Sequence, residues 1–250
     1  MTASLPNASE LPPSAAKHPS RILLTPLRAP ARFIVRRRFS VAVHDAHLVP
    51  VRGPVILASN HVGIADGPLL AIFSPRPVHA LTKQEMFEGR LGRFLLASGQ
   101  VPLDRFNSDP AAIKTCLRVL RDGSAAGIFP EGTRGAGEYA RFHRGAAYLG
   151  LVSGAPIVPV VQFGTREPGA GSSALPKKGG HVDLVFGAPY TFDAVPWPRT
   201  KQAVEDASRA LRDYMLEHLD HAKALTGRTL PGPIAASQDS QSDPDTGIDT

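Results

Sequence analysis

From Gly53 to about Pro189 short apolar runs alternate with stretches of helical spacing. The runs Val55–Ala58, Val78–Thr82, Gln100–Leu103, Ala125–Phe129, Ile157–Gln162 and His181–Phe186 predict strands. Between and after them, Pro68–Phe73, Phe87–Ser98, Pro110–Arg121, Gly145–Ser153 and Thr200–Ala224 predict helices. Strand and helix in regular alternation predict an α/β fold: a single domain with a mostly parallel or mixed sheet flanked by helices. No linker-like shift in composition divides residues 40–225, so they form one domain. The run Ile157–Gln162 carries Pro159 and follows Pro156, which predicts a strand at a sheet edge or one that starts after a bend.

The ends read differently. Residues 1–20 hold Pro6, Pro12, Pro13 and Pro19 without an aromatic side chain, and predict a disordered N-terminus. Residues 226–250 predict a disordered acidic tail, whose removal after Gly227 is expected to matter little. Its one Arg against four Asp gives a net of −3. The whole chain carries +6, so residues 1–225 carry +9. A basic body calls for an anionic partner.

Residues 21–39 focus that charge. They hold Arg21, Arg28, Arg32, Arg36, Arg37 and Arg38 with no acidic residue, interleaved with Leu24, Leu27, Phe33, Ile34 and Phe39. Such a basic amphipathic segment fits a membrane interface rich in anionic lipid. Arg21, Leu24, Arg28, Arg32, Phe33, Arg36, Arg37 and Arg38 are its candidate contacts, and Pro26 and Pro30 divide it into two short helical pieces. The competing reading is a solvated basic helix docked on the domain. Aliphatic interleaving and the absence of a recognised nucleic-acid motif argue against a nucleic-acid partner. No run approaches the ~20 apolar residues of a spanning helix, and nothing resembles a secretory leader. The single cysteine, Cys116, reads as a core residue in a reducing compartment. His44 and His47 read as surface residues, with no further ligands to make a metal site.

Three predicted strands end in segments with chemistry. After the first comes Ser59-Asn60-His61-Val62-Gly63-Ile64-Ala65-Asp66-Gly67-Pro68. On a regular helix His61 and Asp66 would lie about 140° apart, so the segment must be a turn for the carboxylate to reach the ring. A carboxylate on one ring nitrogen would fix the tautomer and let the other nitrogen take a proton from a hydroxyl. After another strand comes Phe129-Pro130-Glu131-Gly132-Thr133-Arg134, where Pro130 and Gly132 impose an irregular turn. Arg134 suits a phosphate through paired hydrogen bonds, and Thr133 adds a hydroxyl. Arg105, in Val101-Pro102-Leu103-Asp104-Arg105, offers a second cation.

These segments, with the Val158-Pro159-Val160 strand, resemble in order and separation the four motifs of the glycerolipid acyltransferase family. The resemblance covers roughly residues 21–222 and includes Phe142, Arg144 and Gly145 opening a helix and Val185-Phe186-Gly187 ending a late strand. Gly63 and Gly135 stand where the family often has Ser. The resemblance implies that His61 and Asp66 are catalytic and that Arg105, Glu131, Gly132, Thr133 and Arg134 bind the acceptor's phosphate. Glu131 would orient the Arg or an acceptor hydroxyl. The implied reaction moves an acyl group from acyl-CoA or acyl-acyl carrier protein to the free hydroxyl of 1-acylglycerol 3-phosphate, with no metal and no bound cofactor. The partners would be the lysophospholipid, the anionic membrane surface and acyl carrier protein, at the cytoplasmic face of the membrane. Another lysophospholipid, a glycolipid or a polyprenyl-type alcohol are alternative acceptors, and a non-catalytic lipid-binding protein is the alternative class.

Overall fold

A computed structural model describes residues 16–107, 109–192 and 200–234. Seven strands form one sheet: β1 Ser40–His44, β2 Val55–Ser59, β3 Val78–Lys83, β4 Val101–Leu103, β5 Ala125–Ile128, β6 Ile157–Phe163 and β7 His181–Phe186. The helices are α1 Arg28–Arg38, α2 Asp66–Phe73, α3 Gly89–Ala97, α4 Pro110–Arg121, α5 Gly145–Ser153 and α6 Lys201–Thr226. The sheet order is β1-β7-β6-β2-β5-β3-β4, parallel throughout except for β6 against β7.

β2 shows why its sequence is apolar without interruption. Ile56 and Ala58 face one core with residues of α4, α5 and α6, while Val55 and Leu57 face a second core with α2. Alternate side chains point to opposite faces, and a central strand covered on both sides must be apolar on both. Local chemistry sets the helix ends. Asp109 accepts the Ala112 N–H ahead of Pro110 in α4, Thr200 accepts the Ala203 N–H of α6, and Gly154 and Gly227 close α5 and α6 in the left-handed conformation.

Several elements depart from the sequence-based expectation. β1 is not among the predicted strands. It is short and half-buried, and its ladder partner β7 lies far along the chain. The predicted helix 87–98 begins only at Gly89, whose φ of 58° separates it from a 3₁₀ turn over Gln84–Phe87. β6 is an interior strand despite Pro159. The Pro159 carbonyl accepts from Gly187 N at 2.8 Å, just beyond the last β6–β7 pair, Val160↔Phe186. Its ring therefore faces the end of β7, where no ladder donor is required of it.

The N-terminal segment is docked rather than free. The His18 ring meets His79 edge-on at 4.9 Å, Leu23 N donates to Ala97 O, and Leu24 is 6% exposed. Pro30 lies in the first turn of α1, where a missing N–H breaks no helical bond. Arg28 and Arg32 donate to the carbonyls of Ala71, Ile72 and Ser74 at the end of α2. They thus satisfy and counter the negative end of that helix. Arg21 bonds Ser124 Oγ. Leu24, Arg28 and Arg32 are therefore fastened to the domain, contrary to their assignment as membrane contacts, whereas Phe33 and Ile34 are 60% and 66% exposed beside Arg36, Arg37 and Arg38.

The C-terminal boundary also moves. Past α6, Arg228 bonds Asp183 at 3.1 Å, Leu230 packs on the core and the Gly232 carbonyl accepts from Arg166. Packed structure thus continues beyond residue 226, and only residues 235–250 of the predicted tail lie outside the described residues. His44 is not a free surface residue: its Nε2 bonds the buried Asp183 at 2.8 Å.

Candidate active site

The parallel strands bring the chemistry to one end of the sheet, beyond the C-termini of β2, β4 and β5. β2 stops at Ser59, and Asn60 extends its edge. The Asn60 side chain accepts from Gln162 N at 2.8 Å and donates to Gln162 O at 3.1 Å, imitating one more ladder residue opposite β6. Beyond this anchor the chain leaves the sheet, and His61 projects with its side chain one-fifth exposed.

Asp66 opens α2 and is fully buried. Its Oδ2 receives His61 Nδ1 at 2.8 Å, Val62 N at 2.6 Å and Gly63 N at 2.8 Å. The turn thus places the carboxylate on the ring although the two are five positions apart on the chain. With Nδ1 holding its proton toward Asp66, Nε2 is the basic nitrogen. Phe129 stacks on the imidazole with ring centres 4.3 Å apart and fixes its plane. At Gly63 an added Cβ would lie 3.2 Å from Thr165 O and 3.3 Å from Arg166 Cβ, so the turn packs closely on the segment after β6.

The signature loop after β5 wraps the same turn. Gly132 has a φ of 69°, and a Cβ there would fall 2.6 Å from the His143 ring, so a side chain at 132 would strain the backbone and push that ring aside. Its carbonyl accepts Arg105 Nη1 at 2.9 Å, which brings the β4 and β5 loops together. Arg134 donates to Ser172 O at 2.9 Å and Ser173 Oγ at 3.3 Å. Burial lowers the Arg134 pKa, and the charge of Arg105 lowers it further against the pull of Asp66. Arg134 thus feels the repulsion of Arg105 on one side and the pull of Asp66 on the other, and a bound anion would relieve the repulsion. Thr133 lies between Gly132 and Arg134, half-buried.

Glu131 departs from its expected task. It is 6% exposed, and Oε1 accepts the His61 backbone N–H at 2.8 Å. The Pro130–Gly132 turn aims it inward at the main chain of the turn. Burial pushes its pKa up to about 7; the bond from His61 opposes the rise, and the Asp66 charge adds to it. Between about pH 4.5 and about pH 7 the folded protein keeps on Glu131 a proton that an unfolded chain, titrating near 4.5, has released. Stability from this group is expected to fall as pH rises from about 4.5 to about 7. Urea midpoints at pH 5 and pH 8 should show that loss in the native chain and a smaller one in Glu131→Gln. Equal slopes would remove Glu131 as the cause.

Sequence reasoning did not single out Gln162 or Arg166. Gln162 donates from Nε2 to Ser59 Oγ at 3.0 Å and to Asp66 O at 3.2 Å, joining β2 to the start of α2. Arg166 is 2% exposed beneath the turn. In the sequence it is one Arg in a loop after a strand, and nothing in Gly164-Thr165-Arg166-Glu167 foretells its burial.

A buried carboxylate orients a histidine beyond the C-terminus of β2, an arrangement that can take up a proton. Comparison with known proteins gives the class. The crystal structure of the 1-acyl-sn-glycerophosphate (LPA) acyltransferase from Thermotoga maritima matches with a TM-score of 0.61 at 20% identity, covering 82% of this chain and 81% of that one, which shows a shared fold. The acyltransferase family profile matches residues 40–162. The chain is 32% identical over 160 residues to the 1-acyl-sn-glycerol-3-phosphate acyltransferase of Bacillus subtilis (strain 168), covering 63% of this chain and 77% of that protein. It is 31% identical over 132 residues to the enzyme of the same name from Borreliella burgdorferi, covering 51% and 52%. The chain belongs to the glycerolipid acyltransferase family and is an O-acyltransferase.

Proposed function

We infer that the protein transfers a fatty acyl group from a thioester, carried by coenzyme A or acyl carrier protein, to the free hydroxyl of 1-acylglycerol 3-phosphate. The product is phosphatidic acid, a step of phospholipid biosynthesis. His61 Nε2 takes the hydroxyl proton as the oxygen attacks the thioester carbonyl. Asp66 holds the ring and stabilises the imidazolium. As the tetrahedral adduct collapses, the C–S bond breaks and the thiolate leaves, taking up the proton. This direct transfer needs no acyl-enzyme, metal or bound cofactor. The His61–Asp66 bond of 2.8 Å carries the reading, and in it Arg105 and Arg134, whose charges oppose each other in the loops after β4 and β5, hold the acceptor's phosphate. The matched proteins named for action on 1-acyl-sn-glycerol 3-phosphate support that acceptor.

The test offers purified protein a panel of lysolipids with acyl-CoA and, separately, with acyl-acyl carrier protein. Rapid transfer to lysophosphatidic acid with either donor supports the reading. Preference for a phosphate-free acceptor would sink it, since Arg105 and Arg134 would lose their assigned ligand.

An acceptor that resides in a bilayer calls for an enzyme working at the membrane surface, and our reading is a peripheral enzyme on the cytoplasmic face. Among the described residues no helix is long and apolar enough to cross a membrane. α1 offers Phe33 and Ile34 for insertion, with Arg36, Arg37 and Arg38 for anionic headgroups at about 1 kcal/mol each. Replacing both Phe33 and Ile34 by Asp is expected to release the protein from anionic liposomes in co-sedimentation while leaving its melting temperature unchanged. Undiminished binding would remove α1 as the anchor. Point substitutions serve better than deleting residues 1–39, because that deletion would also strip Leu24, Arg28 and Arg32 from the domain.

A further inference from the structure

The His61–Asp66 turn lies between β2 and α2, so tertiary contacts must hold its backbone. The His61 N–H donates to Glu131. The next peptide is held at both ends: the His61 carbonyl accepts Gly135 N at 2.9 Å, and Val62 N donates to Asp66 at 2.6 Å. The peptide after it is held likewise: Gly63 N donates to Asp66 at 2.8 Å, and the Val62 carbonyl accepts Arg166 Nε at 2.7 Å. A peptide unit is planar and stiff, so fixing both ends fixes its plane. Arg166 Nη2 also reaches the carbonyl of Gly135 at 3.1 Å, the residue whose N–H holds His61. One guanidinium thus secures one of these peptides directly and the other through Gly135.

The same side chain reaches outward. Nη1 bonds Ala170 O at 2.9 Å in its own loop, and Nη2 bonds the Gly232 carbonyl. Gly232 lies beyond α6, in a segment held by the Arg228–Asp183 ion pair and by Leu230, which lies against Gly137 of the signature loop. A buried cation bonded to four carbonyls is costly unless its N–H groups are satisfied, so removing one acceptor should loosen the rest.

We propose that Arg166 is a positioning residue for acyl transfer: it fixes the peptides of the catalytic turn so that the His61 ring stays in line with Asp66, and the C-terminal segment Arg228–Gly232 is its outer stay. The proposal rests on the assignment of His61 as the base. Arg166 would touch neither substrate, so its loss should act on turnover rather than on apparent affinity. A misplacement near 1 Å at a reacting group lowers rates by roughly 10²-fold.

The test uses the full chain, Arg166→Met, Arg166→Lys, a chain stopped after Thr229 and a chain stopped after Ile234. Each is followed by steady-state kinetics and by the proton NMR signal of the hydrogen-bonded His61 Nδ1–H, identified by its loss in His61→Ala. Arg166→Met should lower kcat by about 10²-fold, hold both KM values near those of the native chain, and weaken or broaden the Nδ1–H signal while circular dichroism stays native. Arg166→Lys should recover part of kcat, because one cationic donor can still reach one carbonyl. Stopping after Thr229 should lower kcat and broaden the signal, whereas stopping after Ile234 should change neither. A native signal and native kcat in folded Arg166→Met would overturn the positioning role, and the same result in the chain stopped after Thr229 would overturn the stay. If Arg166→Met does not fold, the Lys variant and the two shortened chains decide by the same criteria. The NMR signal needs no substrate. Its loss in Arg166→Met beside a native chain that transfers no acyl group would leave the positioning intact and refute the acyltransfer reading instead.

Discussion

His61→Ala should lower acyl transfer by about 10²–10⁴-fold, the usual effect of removing a positioned general base, with little change in melting temperature. The fold should survive because Asp66 keeps two of its three donors, the N–H groups of Val62 and Gly63. Asp66→Asn should be as damaging to catalysis and worse for stability. An amide offers one acceptor and one donor group where Oδ2 now accepts three hydrogen bonds. If the amide oxygen stays on the backbone N–H groups, it can still accept the His61 proton, but it cannot balance the imidazolium charge. If the amide turns its NH₂ inward, donors face donors in a fully buried site, at about 1–3 kcal/mol. Kinetics paired with thermal melts separate the two variants. Native turnover in purified His61→Ala would end the proposed mechanism, and an Asp66→Asn protein with both native stability and native kcat would end the orienting role of the carboxylate.

Arg134→Ala and Arg105→Ala should raise the KM for the phosphorylated acceptor much more than that for the acyl donor. Loss of a charge-assisted hydrogen bond is worth about 1.5–3 kcal/mol, or roughly 10- to 150-fold. Arg134 should be hard to replace. One of its nitrogens is already committed to Ser172 O and Ser173 Oγ, so a ligand must be held by the rest of the planar fork while that tether stays in place. Lysine has one nitrogen for both tasks, and Arg134→Lys should therefore restore little. Arg105 is tethered in the same manner to the Gly132 carbonyl, and its loss should also loosen the signature loop. Equal rises in KM for both substrates would contradict the assignment of these residues to the phosphate.

The two pairs of residues differ in how they could be found. The spacing of His61 and Asp66 denies them a common helix face and so requires a turn. The same turn leaves Val62, Gly63 and Glu131 with main-chain duties that spacing alone does not state. Arg105 and Arg134 stand out in the sequence as arginines in loops just past strands, and their assignment to a phosphate came with the resemblance to the family. Glu131 sits in the same string, yet its carboxylate is spent on the His61 N–H, a preference visible only once the β5 loop folds over the β2 loop. In α1 the arginines look alike in sequence, but Arg28 and Arg32 reach the exposed carbonyls of α2 and Arg36, Arg37 and Arg38 do not have that task.

Local pattern determined the elements that are buried through their own length. β2, β5 and β6 are apolar on successive residues because both faces are covered, and α4 and α6 announce themselves by spacing. The same local chemistry put His61, Glu131 and Arg134 in turns after strands. Tertiary structure alone decided what depends on residues distant in the chain: β1 as a strand, since its ladder is made with β7; the antiparallel β6–β7 pairing, which stops at Val160, one residue short of Pro159; and the burial of Arg166 between the catalytic turn and the chain beyond α6. Hydrophobic period reports the faces that one segment presents, whereas the destination of a single polar side chain is set by which carbonyls and amides other segments leave unpaired beside it.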